Sequence, residues 1–230
     1  MEYRVEQKYL VSDGDLRILQ ARLQGVAKFD ANQHGDSYEI RSVYFDDLQD
    51  SCVEENEAGV DQRQKFRIRT YAPALNTYHL EIKEKARGLT KKLACNLDRE
   101  EVFPLLEGTL PITPDGRAPL NLLKLRQRMD GMAPKVLIIY DRTAFVDPVG
   151  NVRITFDRNI RATRVWRSFL EEECPSCVPV LQKNMHLLEV KYDELLPDYI
   201  KDALELKTLT QTAFSKYYLG RLAIMGELPL

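Results

Sequence analysis

The sequence predicts an α+β fold: a closed antiparallel β-barrel tunnel of about eight strands with flanking helices. Three observations predict it. Segments of period-two alternation outnumber segments of helical spacing along the chain. Two neighbouring strands carry charge on one side only. In Lys65-Phe-Arg-Ile-Arg-Thr-Tyr71, the residues Lys65, Arg67 and Arg69 share a face while Phe66 and Ile68 point the other way; in His79-Leu-Glu-Ile-Lys-Glu-Lys85, Glu81, Lys83 and Lys85 lie opposite Leu80 and Ile82. Cations stacked on adjacent strands repel one another unless an anion lies between them. Closing the sheet removes its edges and creates a lumen in which such an anion sits.

The elements follow in order. Tyr3 to Val11 alternates as a strand, and Ser12-Asp-Gly-Asp15 is a helix N-cap signal leading into Leu16, Leu19 and Leu23 at helical spacing. Tyr38 to Asp46, Gln64 to Tyr71, Thr77 to Arg87 and Leu89 to Leu97 are strands separated by short polar or glycine-containing connections. Residues 98 to 131 change character: Leu105 and Leu106, then Leu120, Leu122, Leu123, Leu125 and Met129, predict helices interrupted by the Pro111 to Pro119 turn region. Strands resume at Lys135 to Asp147 and Val152 to Asp157, joined by a tight hairpin at Pro148-Val-Gly-Asn151. A last strand, Met185 to Tyr192, precedes helices over Pro197 to Leu206 and Thr210 to Ile224. No repeat, linker or low-complexity stretch divides the chain, so residues 1–230 read as one domain.

Composition narrows the anion. The net charge is −2, so the basic strands are a local concentration in a balanced protein, unlike the overall basic bias of a nucleic-acid coat. A compact polyanion fits, and no nucleic-acid partner is expected. No run of eighteen apolar residues occurs and the chain enters a charged strand directly, so neither a membrane span nor a signal peptide is expected, and the location reads as cytoplasmic. Cys52 and Cys95 stand alone. Cys174-Pro-Ser-Cys177 is one CxxC without a second pair, read as a loop with two reduced thiols in preference to zinc.

The polar faces collect a consistent set: Glu6 and Lys8; Arg67 and Arg69; Glu81 and Lys83; Lys92; Tyr140 and Arg142; Arg153 and Asp157; Glu189 and Lys191; and, on the last helix, Ser215 and Lys216. Cations lining one cavity with a few carboxylates suit phosphate chemistry, because arginine forks grip phosphate oxygens in pairs, lysines act as point charges, and carboxylates hold a divalent metal. Taken singly, each strand also reads as a solvated outer face, Glu189 as a salt-bridge partner, Asp157 as a turn or ladder residue, and Tyr38, Tyr44, Tyr71 and Tyr78 as barrel wall. His34, His79 and His186 show no metal spacing. Gly59 and Gly88 are isolated and form no phosphate loop.

Read together, Arg4-Val-Glu-Gln-Lys-Tyr9, Arg41-Ser-Val-Tyr-Phe-Asp-Asp47, Lys65 to Tyr71, Leu80-Glu-Ile-Lys83, Tyr140-Asp-Arg-Thr-Ala-Phe145, Arg153-Ile-Thr-Phe-Asp157, Leu188-Glu-Val-Lys-Tyr192 and Ser215-Lys-Tyr217 resemble, in this order, the vacuolar transporter chaperone (VTC) family of polyphosphate polymerases, within the triphosphate tunnel (CYTH-like) superfamily. The resemblance implies a basic tunnel that binds a triphosphate and a glutamate side that binds Mn²⁺ or Mg²⁺. It implies Lys8, Arg67, Arg69, Lys83, Lys92, Arg142, Arg153 and Lys216 as phosphate ligands, Glu189 as the leading metal ligand with Glu6 beside it, and ATP and polyphosphate as partners. Tyr140, Ser215 and Glu81 join the substrate-binding set. A membrane-protein partner is the furthest the resemblance reaches, since the family's eukaryotic members work within membrane complexes. One departure bears on activity. Superfamily hydrolases open with an ExExK strand, whereas Arg4 occupies the first glutamate position here, which favours the polymerase branch. A triphosphatase, with Glu6 or Glu81 activating water, and a non-catalytic polyphosphate or RNA-end binding module are the other expectations.

Overall fold

The computed structural model describes residues 4–33, 35–72, 75–86, 89–114, 116–171, 174 and 176–228; His34, Arg87, Gly88 and Pro175 lie outside them. Its first strand, β1 (Val5–Ser12), stops where its own last residue caps the first helix, α1 (Asp13–Gln24). The Ser12 hydroxyl accepts the Asp15 backbone N–H at 3.2 Å and the Asp15 carboxylate accepts the Ser12 backbone N–H at 3.3 Å, a reciprocal cap that satisfies two otherwise orphaned donors. Leu16, Leu19 and Leu23 then form the buried stripe of α1.

The remaining elements are β2 (Lys28–Phe29), β3 (Tyr38–Asp46), α2 (Ser51–Glu57), β4 (Arg63–Ala72), β5 (Tyr78–Ala86), β6 (Leu89–Leu97), α3 (Arg99–Leu106), α4 (Ala118–Met129), β7 (Ala133–Asp147), β8 (Val152–Thr163), β9 (Val178–Pro179), β10 (Met185–Tyr192), α5 (Asp198–Leu204) and α6 (Lys216–Met225). Strand pairing runs β1-β10-β8-β7-β3-β4-β5-β6, with β2 on β7 and β9 on β8. This corrects the expectation of a closed barrel. The sheet is large and antiparallel, but β1 and β6 end the order and do not pair with each other among the described residues. Along the free edge of β1 the ladder is continued by irregular chain: Tyr9 bridges Gln211, and Thr212 donates its N–H to the Lys8 carbonyl at 2.8 Å. The same contact shortens the last helix, which begins at Lys216 where helical spacing predicts Thr210, because residues 211 and 212 are held against a strand.

Other departures are local. β8 runs on to Thr163, past the expected stop at Asp157, with Asn159 at φ 50° inside it. α2 carries one buried residue, Cys52, too little apolar spacing to predict a helix. Gly150, at φ 70°, turns β7 into β8; a Cβ there would meet the Leu195 carbonyl at 2.5 Å, so no larger residue fits. Cys174 and Cys177, expected as reduced thiols, are joined in a disulfide, their Cα atoms 6.2 Å apart and within the span a bridge allows.

The chain divides into two compact units. Unit 1 comprises Met1–Glu39, Tyr140–Ile160 and Leu181–Ser215; unit 2 comprises Ile40–Ile139, Arg161–Val180 and Lys216–Leu230. Each has its own core. In unit 1, Val11, Leu16, Leu19, Leu23, Ile154, Phe156, Leu188 and Val190 pack with Ile200 and Leu204 of α5. In unit 2, Val43, Phe45, Phe66, Ile68, Leu80, Ile82, Leu137 and Ile139 pack with Val102 and Leu105 of α3 and Leu120 and Leu123 of α4. In both, strand alternation sends the odd or even set to this core and the other set to the opposite face.

Candidate functional site

On the face of unit 2 opposite its core, β4 and β5 place Arg67 directly across from Glu81 and Lys65 across from Lys83, and β6 places Lys92 across from Lys83. Glu81 is 5% exposed and gathers the cations. Arg67 donates from Nε to its Oε2 at 2.6 Å, Lys92 donates to Oε1 at 2.7 Å, and Arg69 stands 3.9 Å away. Arg67 also donates to the Tyr44 hydroxyl at 2.9 Å, and Arg69 to the Ser42 hydroxyl at 3.4 Å, both on β3. Burial alone would raise the pKa of Glu81, yet Arg67, Arg69 and Lys92 outweigh it and hold the carboxyl well below its usual value of 4.5. Tyr44 responds to the same field: burial works to raise its pKa, and Arg67, Arg69 and Lys216 lower it instead. Glu81 thus supplies part of the counter-charge that alternating cations require. Arg67, Arg69 and Lys92 thus converge on one buried carboxylate, and Lys216 acts on the neighbouring Tyr44.

A depressed carboxyl pKa fixes the sign of a pH effect. The stability Glu81 confers is fully present above its ordinary 4.5 and is lost as pH falls through the lower folded-state value. Glu81→Gln is expected to cost about 2 kcal/mol in the ligand-free protein, because it strands Arg67 and Arg69 beside a neutral amide. Tripolyphosphate should then raise the melting temperature of the variant more than that of the wild type. Equal shifts in the two would show that the cations do not share one anion-binding field.

Unit 1 is balanced differently. β1, β10 and β8 bring Glu6 opposite Lys191, Lys8 opposite Glu189, and Lys191 opposite Arg153. Lys191 reaches Glu189 at 2.7 Å and Glu6 at 3.7 Å; Lys8 reaches Glu6 at 2.9 Å and donates to the Phe214 carbonyl at 3.0 Å. Arg142 on β7 forms a two-pronged pair with Asp157, 2.6 and 2.7 Å, lies 3.9 Å from Glu189, and sits 5.3 Å from the centre of the Tyr140 ring. Burial disfavours its charge, but Asp157, Tyr140 and Glu189 raise its pKa further above the usual value. Arg153 is held by Asp30 at 2.5 Å and by the Tyr38 hydroxyl at 3.3 Å. Each of these cations has a carboxylate beside it. Glu189 and Asp157 are too buried, 6% and 0% exposed, to be a solvated outer face.

The predicted residues therefore fall into two groups. Lys8, Glu6, Glu189, Arg142, Arg153 and Tyr140 belong to the network of unit 1; Arg67, Arg69, Glu81 and Lys92 form the cluster of unit 2, with Lys83 exposed on the same face and Lys216, the first residue of α6, acting on Tyr44. Ser215 precedes α6 instead of lying on it. Tyr44, expected as wall, and Asp30, outside the predicted set, are working members of these networks, as is Lys191, collected on the polar face of its strand but given no role. Tyr44 was legible two residues from Ser42 on an alternating strand. Asp30 was not, since it follows a two-residue strand without any pattern.

No group of three His, Cys, Asp or Glu able to hold a metal is present among the described residues. Glu6 and Glu189, sharing Lys191, are a hard-oxygen pair, and one or two carboxylates completed by substrate phosphates is the usual Mg²⁺ arrangement. The donor set fits an ion bound together with phosphate and not a self-sufficient cage.

A family model described as VTC domain matches residues 3–225. Comparison with curated proteins gives no match. Among solved structures, the chain is similar to a Bacillus halodurans protein provisionally described as an adenylate cyclase, with 14% identity and a TM-score of 0.51 over 88% of this chain and 86% of that one. A Pyrococcus horikoshii OT3 protein aligns with 15% identity and a TM-score of 0.45, over 88% and 84%.

Proposed function

The chain belongs to the VTC domain family, and on that premise we propose that it is a polyphosphate polymerase, moving the γ-phosphoryl group of ATP onto a growing polyphosphate chain with release of ADP. The observation that carries the reading is the convergence of Arg67, Arg69 and Lys92 on the buried carboxylate of Glu81. In this reading residues 1–230 act as one functional domain in the cytoplasm; the family match spans segments of both units.

In unit 2, Arg67, Arg69, Lys83, Lys92 and Lys216 hold phosphates; in unit 1, Lys8, Arg142 and Arg153, with Tyr140 and Ser215, are the phosphate-binding residues that the family resemblance implies. A terminal polyphosphate oxygen attacks Pγ, the bond from Pγ to the bridging oxygen breaks, and ADP departs with that electron pair. Holding these groups in line supplies most of the catalysis in phosphoryl transfer. The attacking oxygen is already ionised at neutral pH, so no general base is needed. That favours polymerase over triphosphatase, since Glu6 and Glu81 are each held by lysine or arginine and neither is poised to take a proton from water. Mn²⁺ or Mg²⁺ held by Glu189 and Glu6 would neutralise charge on the phosphate oxygens.

Incubation of the protein with ATP and Mn²⁺, read by a polyphosphate gel beside a free-phosphate assay, tests the reading. A ladder supports it, free phosphate alone makes the protein a triphosphatase, and neither product makes it a binding module. Glu189→Gln is expected to lose metal-dependent turnover while retaining tripolyphosphate binding, because the amide keeps the shape and removes the charge a hard cation requires. Unchanged Mn²⁺ dependence in that variant would transfer the ligand role to Glu6.

A further inference from the structure

The arginines around Glu81 are not held in the same way. Arg69 stands 3.4 Å from the Ser42 hydroxyl and 3.9 Å from Glu81, whereas Arg67 is touched at all three of its nitrogens. Its Nε and one terminal nitrogen meet Glu81 at 2.6 and 2.5 Å, but both meet the same oxygen, Oε2. Contacts to a single atom make a pivot, about which a planar guanidinium can swing. The other carboxylate oxygen, Oε1, is taken by Lys92 at 2.7 Å. A second point of attachment comes from the Tyr44 hydroxyl, which accepts from the other terminal nitrogen of Arg67 at 2.9 Å. The Arg67 Cζ also lies 5.8 Å from the centre of the Tyr44 ring, within the reach of a cation–π contact.

Tyr44 is fixed in turn. Its ring packs against that of Tyr217 on α6, centroids 5.6 Å apart. The buried Tyr217 donates its hydroxyl to Asp46, two residues along β3 from Tyr44, and accepts from Arg221 at 3.1 Å; Arg221 is itself clamped by Asp50 through two contacts of 2.8 Å. An anchored chain of side chains within unit 2 therefore ends at Arg67. Tyr44 is 6% exposed, whereas the Arg67 side chain is 26% exposed, so the arginine meets a ligand and the tyrosine lies behind it. We infer that Tyr44 is a positioning residue for Arg67, its hydroxyl fixing the plane of a guanidinium that Glu81 alone would leave on a pivot, so that the fork meets phosphate oxygens in one orientation. Planar, two-pronged recognition is what a guanidinium adds to bare charge, and it depends on that orientation. The inference rests on the reading that Arg67 grips phosphate.

A double-mutant cycle on tripolyphosphate binding tests it without reference to synthesis. Affinity is measured by calorimetry at fixed ionic strength for the wild type, Tyr44→Phe, Arg67→Ala and the double variant. Phenylalanine keeps the ring and its packing on Tyr217, so only the hydroxyl is removed. Tyr44→Phe is expected to weaken binding roughly tenfold in the native background, the scale of one hydrogen bond to a charged group, and less than about twofold once Arg67 is alanine. A tyrosine with a merely structural role would give equal losses in both. Arg67→Lys serves as the background if Arg67→Ala binds too weakly to measure. The Arg67 side-chain nitrogen signals in NMR, assigned by their loss in Arg67→Ala, should show slow rotation of the guanidinium in the ligand-free wild type and faster rotation in Tyr44→Phe. Equal losses in the two backgrounds, no loss in the native one, or unchanged rotation overturns the inference and leaves the phosphate reading of the site standing. Failure of the wild type to bind tripolyphosphate overturns both, and a missing ladder with the coupling intact overturns the polymerase reading alone.

Discussion

Arg67→Ala is expected to lower ATP-dependent polyphosphate synthesis by roughly 10³-fold, the scale on which loss of a preorganised phosphate-gripping arginine acts. The change removes the contacts of Nε at 2.6 Å and of a terminal nitrogen at 2.5 Å with Glu81, and the 2.9 Å bond to the Tyr44 hydroxyl. The fold should survive, because Lys92 remains on Glu81 at 2.7 Å and the partly exposed arginine contributes only about 1 kcal/mol of stability. Initial rates from a polyphosphate gel, paired with a thermal melt of the same preparation, check both halves. Synthesis within about tenfold of wild type, or a collapsed melt, would remove Arg67 from the phosphate-holding set.

Asp157→Asn is expected to produce the largest stability loss, about 3 kcal/mol, because it leaves Arg142 charged, buried and facing an amide in place of its two-pronged carboxylate partner. Glu189, 3.9 Å away, gives partial relief and keeps the estimate toward the low end of the range for broken buried pairs. Denaturant unfolding at neutral pH measures it, with the midpoint falling and the slope unchanged. A loss under about 0.5 kcal/mol would place Asp157 among surface-like positions and make Arg142 available to substrate at no structural cost.

Much of this was legible because strand alternation carries it. The odd and even sets of Lys65 to Tyr71 and His79 to Lys85 separate in the structure as the sequence requires, Phe66, Ile68, Leu80 and Ile82 into the core and Arg67, Arg69 and Glu81 onto the opposite face. Met185–Tyr192 has the predicted bounds. Alternation says which face a side chain takes and nothing about which strand lies beside it, so the open order ending at β1 and β6 could not be read from it. Nor could the partners of the cations. Glu81 in Leu80-Glu-Ile-Lys83 looks like any strand glutamate until register places it across from Arg67, and Asp30 reaches Arg153 over more than a hundred residues of intervening chain. The start of α6 was misread for a related reason. Residues 210–215, with two threonines, a serine and a phenylalanine, have little helical propensity of their own, and the backbone N–H of Thr212 is spent on the Lys8 carbonyl.

The register of β1 has a consequence for biosynthesis. Val5 pairs with Tyr192 and Ser12 with Met185, so β1 waits for β10, which is synthesised far later. Contacts so distant in sequence form slowly, and until they form β1 presents an alternating strand with unsatisfied backbone groups on both edges. Unit 1 is assembled from three separate stretches, the third closing at Ser215, and therefore cannot mature vectorially from the N-terminus while synthesis proceeds. Nascent chains halted before residue 185 should accordingly be protease-sensitive at residues 5–12 and become protected only once residues 185–192 have emerged.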